Sequence, residues 1–578
     1  MTESEAKVDP RVWAAPPPSG VRKYVPILSW LPSYDRSWLR PDVIAGATVW
    51  GLLVPETIAY AGLAGLPPEA GLYTVLATLA AYAVFGTSRH LIASATSAAA
   101  VLLAAGIASL GPSSTADYAS RAAAMVLFCA GLFLLAGFLR LGFIAQFISV
   151  PVMAGFVFGL AIFVTVSQLP KLFGIEKGGG NTVHQFFYLL GHLGETSWTT
   201  FAVGLGALVL LFGIDRFAPR VPGGLLALVL GIAVSAALDL SSHGVAIVGT
   251  VPSGLPSVSV PDIAAADVVP LMAAAAGMAL VIFSESLGTA QNFATKHGYE
   301  IDPDQELIAL GFANAGSGFL GGLAGGGSLS QSSVNEAAGA RSEMSPLVAG
   351  ALVLVTVLFL TPLFKNLPEA VLAALIIHAV VHLMKVREFR LYYGERRVEF
   401  WLGLATLVGV ITLDVLPGLL IGVISMLLLV VYQASRPHLA VLGRVPTVAG
   451  AWGDVERHPD YVGAPGLLVL RLEGPVFYAN ATLVRDRIKF LVGAAVPVPR
   501  AVVLDVGANN DIDITTAEVL DRLVRTLRSA GVDFALAEAR SPVVDRVRRG
   551  DVAGLISLVG ENRIFHTIDE AVRALSEP

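Results

Sequence analysis

Two glutamates sit deep in apolar stretches at matching places in the two halves of the chain, Glu56 in VPETIAYA and Glu285 in FSESLGTA. A charged carboxylate in hydrocarbon costs about 2.5 kcal/mol or more on insertion scales, so it persists where a cavity, a partner or a task justifies it. The chemistry open to it there is the binding of a proton or another cation. The bland alternative is a protonated acid hydrogen-bonded to a neighbouring helix. Downstream of each acid the chain turns to tiny residues. In GGLAGGGSLSQSSVNEAAGARS, Gly321 to Ser342, a full spanning helix does not fit, but a loop running to mid-membrane and a half-helix starting near Ser328 does. A half-helix start points free N–H groups and roughly half a positive charge at the cavity, a site for an anion. Ser328, Ser330 and Ser332 can add hydroxyl donors. The counterpart is HLIASATSAAAVLLAAG, His90 to Gly106, where Ser94, Thr96 and Ser97 open a run of alanines. For both stretches the alternative is that small residues merely allow close helix packing.

The elements that must hold these groups follow from the apolar pattern. If the spanning helices begin near Val43 and Val269, each carboxylate lies about 20 Å along its helix, near the midplane of a core about 30 Å thick. Hydrophobic residues make up 55% of the chain and charged residues 14%, and mean hydropathy is +0.71; an ordinary soluble domain carries about 25% charged residues. About fourteen candidate spans lie between Val43 and Tyr432, several too short or too glycine-rich to cross alone. With the amino terminus inside, Arg22, Lys23, Arg36, Arg40, Arg89, Arg140, Arg216, Arg220, Lys296, Arg341, Lys385, Arg387, Arg390, Arg396 and Arg397 fall in inner loops. Arg121, Lys171, Lys177 and Lys365 fall outside. That bias places both termini in the cytoplasm of a multi-pass cell-membrane protein, for an even number of spans.

The expected organisation is a Pro-rich cytoplasmic lead (1–40), a transmembrane domain (41–435) and a cytoplasmic soluble domain (436–578). The lead has no apolar core and does not read as a cleavable signal peptide. In the last part, strand-like runs at Leu467 to Leu472, Ala501 to Val506 and Asp533 to Glu538 alternate with amphipathic helical patterns such as Ala517 to Gly531, which implies a small α/β domain. The net charge of −6 argues for no nucleic-acid partner. The lone Cys129 excludes a disulfide framework and a cysteine metal site. No His, Cys and Asp cluster at metal-ligand spacing stands out, so neither an enzyme centre nor a cofactor is expected.

DVIAGATVWGLLVPETIAYAGLAGLPPEAGLY (Asp42 to Tyr73), GTSRH (Gly86 to His90), YEIDPDQELIALGFANAGSGFLGG (Tyr299 to Gly322) and VNEAAGAR (Val334 to Arg341) resemble the SulP sulfate permease family of anion transporters. GPVFYANATLVRDRI (Gly474 to Ile488) and VVLDVGANNDIDITTAEVL (Val502 to Leu520) resemble that family's STAS domain. The resemblance covers nearly the whole chain. It implies an α-helical polytopic membrane protein of fourteen segments in two inverted seven-segment repeats, split into core and gate domains and often dimeric, followed by a soluble α/β STAS domain. It places substrate at Ala95, Thr96 and Ser97 in the third segment and at Ser328, Leu329 and Ser330 in the tenth. Glu56 and Glu285, with Thr289 four residues on, then become cation-coupling candidates. Glu285 and Thr289 resemble the sodium site of cyanobacterial bicarbonate members, although a glutamate suits a proton as readily.

Two departures bear on the substrate. Many members carry an arginine where this chain has Gln331, and a Gly-Pro pair where it has Ala93-Ser94-Ala95-Thr96. Without a fixed cation, a dianion such as sulfate relies on helix dipoles, hydroxyls and a co-transported ion, whereas a monoanion such as bicarbonate needs less. The expected function is therefore anion transport, sulfate first, by proton- or sodium-coupled symport. Bicarbonate, C4-dicarboxylates and anion exchange are the alternatives, and a non-transporting sensor or scaffold acting through the STAS domain is an alternative of another class. The expected partners are a small inorganic anion, the coupled ion, the bilayer, a second copy of the chain and a cytoplasmic regulator at the STAS domain. In that domain Asp513, Thr515 and Thr516 fall where related domains present a phosphorylatable hydroxyl. The competing reading is a capping box formed by Thr515 with Glu518. His90 reads as an interfacial residue, and Gln168 either lines the cavity or makes a helix-end hydrogen bond.

Overall fold

In hydrocarbon an apolar run can satisfy its backbone only as a helix, and a run broken by glycines can leave helical geometry only where protein covers it. Both solutions alternate along this chain. The computed structural model describes residues 20–576 apart from 109, 144–148, 219–220, 383, 385, 449, 510 and 540–558. Arg220, Lys385 and residues 1–19 of the amino-terminal lead lie outside the described residues.

The first compact unit runs through Met426. Its first half contains α1 (Leu39–Leu63), α2 (Pro68–Phe85), β1 (Ala93–Ala95), α3 (Ser97–Ala108), α4 (Thr115–Phe138), α5 (Val150–Phe173), a short α6 (Thr182–Gly191), α7 (Trp198–Phe217) and α8 (Gly223–Leu238). The second half repeats the pattern. It has α9 (Ala265–His297), α10 (Pro303–Phe319), β2 (Gly325–Gly327), α11 (Leu329–Ala337), α12 (Met344–Val355), α13 (Glu369–Val381), a short α14 (Val386–Glu395), α15 (Arg397–Leu413) and the first part of α16 (Val415–Ala434). Among the described residues nine helices are long and apolar enough to cross a membrane. The shorter α3, α8, α10, α11 and α15 bring the segments to fourteen, and each half carries one strand followed by one half-helix. The helices α1 and α9 begin four residues earlier than expected, at Leu39 and Ala265, because Asp42 and Asp267 suit a first helical turn.

Packing divides these segments into two bundles. In one, α4 lies on α10 and α9, and α1 lies on α2 and α12. In the other, α5 lies on α15 and α13, and α13 also lies on α7. These are the core and gate bundles, and each draws segments from both halves. Small residues set the approach: the backbones of Gly155 on α5 and Gly403 on α15 are so close that neither position has room for a methyl group.

The strands β1 and β2 pair antiparallel, with Ala93 opposite Gly327, Ser94 opposite Gly326 and Ala95 opposite Gly325. A Cβ on Gly326 would lie 2.6 Å from Ile282 Cγ2 of α9, and one on Gly325 2.6 Å from Thr78 Cγ2 of α2. The glycines thus let the ribbon sink between helices. Gly326→Ala is expected to destabilise the protein by about 1–3 kcal/mol through overpacking. Gly206→Ala on α7, where an added Cβ meets nothing within 4 Å, is expected to change little. Thermal melts of the two purified variants check this, and equal melting temperatures would refute it.

The second unit starts at Leu427. Strands β3 (Leu439–Arg444), β4 (Trp452–Asp454), β5 (Leu467–Leu472), β6 (Ala501–Asp505) and β7 (Asp533–Ala537) form one sheet in the order β4-β3-β5-β6-β7. The last three are parallel and β3 is antiparallel to both its neighbours. Helices α17 (Ala481–Ala494) and α18 (Ile514–Ser529) pack together beside the sheet, and α19 (Ile568–Ser576) packs on β5, β6 and β7. The start of α18 corrects the capping-box reading. Asp513, not Thr515, is the N-cap, accepting from the Thr516 amide at 2.9 Å and the Thr516 hydroxyl at 2.8 Å. An aspartate accepts these donors with full charge, and it also takes the Tyr478 amide at 2.9 Å. Thr516 is buried, whereas Thr515 stands exposed in the first turn.

Burial alone would raise the Asp513 pKa, but the hydrogen bonds from Thr516 and Tyr478 outweigh it and hold the carboxyl below its ordinary 3.8. A depressed folded pKa contributes stability that is complete above the unfolded value and disappears as pH falls through the folded one. Asp513→Ala is expected to lose about 1 kcal/mol at pH 7. The deficit relative to the parent should shrink below about pH 4. Denaturant titrations of the second unit's transition at the two pH values read it; a deficit independent of pH would show that the charge is not involved.

Candidate functional site

The glutamates reach the centre of the molecule on different supports. On α1, Pro55 has no N–H to offer the carbonyl of Gly51, so the helical ladder is interrupted next to Glu56. The Glu56 carboxyl is 9% exposed and accepts a hydrogen bond from Gln331 Nε2 at 2.8 Å. The other end of the same amide, Gln331 Oε1, accepts from the Ser94 hydroxyl. One side chain of α11 therefore ties α1 to β1, which joins the two halves of the chain at the head of a half-helix. Gln331 is fully buried. Its neutral amide takes the position at which a fixed cation was absent from the sequence pattern, and both of its polar ends are occupied.

On α9, Ser284 and Ser286 turn their hydroxyls back to the Leu280 and Ile282 carbonyls, at 2.8 Å and 2.5 Å. Ser286 also accepts from the Gly327 amide at 2.7 Å, fixing β2 to the helix. Glu285 stands between them, half-buried, with no side-chain hydrogen bond among the described residues. Thr289 lies one turn on and on the same face, and it is buried. Tyr60, one turn beyond Glu56, lies within electrostatic reach of both Glu56 and Glu285. That tyrosine was not singled out in the sequence, although its four-residue spacing from Glu56 is the signal that marks it.

Both half-helices are capped at the ribbon. Thr96 Oγ1 accepts from the Ala99 amide at 3.2 Å, and Ser328 Oγ accepts from the Gln331 amide at 3.4 Å. Each cap uses the third amide of its helix, so the amides of Ser97 and Ala98, and of Leu329 and Ser330, remain the ones without an intrahelical acceptor. Ala95 and Ser97 are buried, Thr96 and Ser328 are half-buried, and Leu329 and Ser330 are open. The Ser328 and Ser330 hydroxyls lie 3.2 Å apart. Ser332 instead points inward and accepts from the Ile92 amide at 2.8 Å, so it supports β1 rather than lining the opening.

Polar anchors hold the ribbon and the segments that flank it. Asn314 of α10 pairs reciprocally with Gly325, donating to its carbonyl at 2.8 Å and accepting from its amide at 2.9 Å. Glu306 of α10 accepts from the Tyr82 hydroxyl at 2.6 Å and from the Thr87 amide and hydroxyl at 2.8 Å and 2.6 Å. Asp42 accepts from the Arg341 amide and the Ser342 hydroxyl, at 2.6 Å and 2.7 Å, beyond the end of α11. Such a frame fixes the direction in which the two helix starts point. His90 is covered by protein: it is 5% exposed and stacked on His297 at 4.3 Å. Gln168 is buried and donates to the adjacent Ser167 hydroxyl at 3.2 Å.

Residues 39–406 match the model of the Sulfate permease family, and residues 458–571 match that of the STAS domain. A probable sulfate transporter of Mycobacterium tuberculosis is 36% identical over 541 residues, which covers 94% of this chain and 96% of the relative. The chain belongs to the sulfate permease family. Sulfate transporter 1.3 of Arabidopsis thaliana is a more distant member, 29% identical over 586 residues, with 96% and 88% of the two chains covered. The murine Solute Carrier 26 family member A9 anion transporter in the inward-facing state shares the fold at a TM-score of 0.88 and 22% identity, covering 100% of this chain and 96% of that one. The transmembrane domain of the cyanobacterial bicarbonate transporter BicA gives a TM-score of 0.59 at 24% identity, over 67% of this chain and 98% of that one. As a sulfate permease family member with a STAS domain, the protein is a multi-pass membrane protein of an anion-transporter family.

Proposed function

We propose that this family member is a secondary active transporter of inorganic anions, sulfate foremost, moved together with a proton or sodium ion. The carrying observation is the meeting of two capped half-helix starts, one from each repeat, across a paired ribbon. Their free amides and the positive ends of both helix dipoles suit an anion held by Ala95, Thr96, Ser97, Ser328, Leu329 and Ser330. Glu56 and Glu285 flank that site. An anion entering beside two carboxylates is disfavoured until a cation neutralises them, so cation and anion binding assist each other. Glu285, with Thr289, is assigned the coupling ion because its carboxyl is not already engaged, while Glu56 is held by Gln331.

Alternating access follows as a rocking of the core bundle against the gate bundle. The protein acts in the cell membrane with both termini in the cytoplasm, as a homodimer. The STAS domain serves regulation, and the exposed Thr515 at the start of α18 is its phosphorylation candidate. A second reading has one observation in its favour. Gln331 presents a neutral amide with both ends committed, and a site without a fixed cation suits a monoanion such as bicarbonate better than a dianion.

Purified protein in liposomes, given radiolabelled sulfate under an inward proton or sodium gradient with bicarbonate and dicarboxylates as competitors, tests both readings. Gradient-stimulated sulfate uptake is the expected result. Flux of a competitor without sulfate uptake would move the substrate to the second reading. Silence for every anion would overturn the transporter proposal and favour a sensor acting through the STAS domain.

A further inference from the structure

His378 and His382 stand one helical turn apart at the end of α13 and present their rings on one face. Asp215, in the last turn of α7, lies against both. His378 Nε2 is 2.6 Å from Asp215 Oδ2 and His382 Nε2 is 3.5 Å from the same oxygen. One ligand atom from each residue falls within 4.8 Å of the others. The two helices are in register along their length: a Cβ on Gly204 of α7 would meet Ala370 of α13 at 3.5 Å near their starts, and Asp215 meets the histidines near their ends.

The rings are also oriented. His382 Nδ1 is 2.8 Å from the His378 carbonyl oxygen. A nitrogen that donates there leaves Nε2 with its lone pair towards Asp215, the tautomer a metal ion requires. Phe212, one turn before Asp215, packs against both imidazoles, with ring centroids 5.0 Å and 6.2 Å away. His378 is 19% exposed, Asp215 45% and His382 55%, so the group has an open side for a hydrated ion to enter.

We propose that Asp215, His378 and His382 bind one divalent cation of the zinc class. Two imidazole nitrogens and one carboxylate oxygen are a three-residue zinc set, with water in the fourth position. Tetrahedral ligands about 2.0 Å from zinc stand about 3.3 Å apart, so the His378–Asp215 pair must open by less than about an ångström, within reach of a side-chain rotation. The ion would join the first repeat's α7 to the second repeat's α13 inside the gate bundle. It would act as a brace there, separate from the anion site on the core bundle. The sequence reading passed over the pair because Asp215 is remote in the chain, although the four-residue spacing of His378 and His382 is visible.

The test uses full-length protein in detergent, without a polyhistidine tag and stripped by a chelator. Equilibrium dialysis against Zn²⁺ and the visible absorption of a Co²⁺ adduct report binding and coordination, and a thermal melt reports bracing. His438 with Asp454 and Glu456 is the other such grouping among the described residues, so His438→Gln is the control. The parent and His438→Gln should both give the tetrahedral Co²⁺ spectrum and a zinc-dependent rise in melting temperature. His378→Gln with His382→Gln should lose both while keeping the metal-free melting temperature and elution volume. Asp215→Asn, which keeps side-chain shape, should weaken binding at least about tenfold, and it carries the test if the double variant does not fold. No metal bound by the parent, leaving only a histidine–aspartate ion pair, would overturn the proposal. So would undiminished binding in both the double variant and Asp215→Asn.

Discussion

Glu285→Gln is expected to remove the response of anion uptake to an ion gradient while leaving the protein folded. Glutamine has the shape of glutamate, and at this position no side-chain hydrogen bond is lost, because Glu285 makes none among the described residues. Its neighbours Ser284 and Ser286 keep their own bonds, including the one that fixes Gly327. What disappears is the carboxylate proposed to bind a cation beside the proposed anion site. Couplings between two ligands of one protein typically change affinity about 5- to 150-fold, and gradient-stimulated uptake should fall by a factor in that range. Exchange of labelled for unlabelled anion at equal ion concentrations should persist. Uptake that still follows the gradient would remove Glu285 from the coupling role. Glu56→Gln should act more gently, since its amide oxygen can still accept from Gln331 Nε2.

Gln331→Leu is expected to reduce uptake by about tenfold or more per folded molecule. Leucine nearly fills the volume of glutamine, yet it leaves the Glu56 carboxyl without its donor and removes one of the two acceptors of the Ser94 hydroxyl, which keeps the Ala95 carbonyl at 3.2 Å. Each buried polar group left unsatisfied costs about 1–3 kcal/mol, and every 1.4 kcal/mol is a factor of ten in an equilibrium. The ribbon would then sample positions in which the two helix starts no longer converge. Uptake normalised to the monodisperse fraction on gel filtration reads the effect. Parental activity in this variant would mean that the Ser94–Gln331–Glu56 chain does not organise the site. Gln331→Arg makes a complementary case: it would set a cation beside Glu56, and sulfate should gain over monoanions in competition.

Much of this architecture was legible because the signals were extreme. A glutamate inside an apolar run and a glycine-serine stretch where a span should be both violate the rules for an ordinary membrane helix, and the structure has a buried carboxylate at the first and a strand followed by a half-helix at the second. The half-helix expected near Ser328 begins there, with Ser328 as its N-cap, since a serine at the change from glycines to helix formers suits that position. What stayed hidden was pairing across the chain. Nothing local to Gln331 tells that it bonds Glu56 on another helix, and nothing local to Ala93 or Gly327 tells that they face each other. In the second unit β3 and β4 were missed: β3 is buried at four of its six positions with no strict alternation, and β4 is three residues long, too short for a strand pattern to show. Thr515 was read as a cap because spacing alone does not distinguish it from Asp513, two residues earlier, whose carboxylate is the better acceptor.

The β1–β2 ribbon also has a consequence for how the protein is made. Ala93 to Ala95 emerges from the ribosome long before Gly325 to Gly327, and the two must wait for each other across most of the membrane domain. Until α9 to α11 have been inserted, the β1 backbone has no partner in a medium without water to replace it. The first half must therefore keep that backbone covered by protein or by water during the interval. Premature termination anywhere before the second strand yields a chain that lacks the second half-helix start and leaves β1 without its pairing partner.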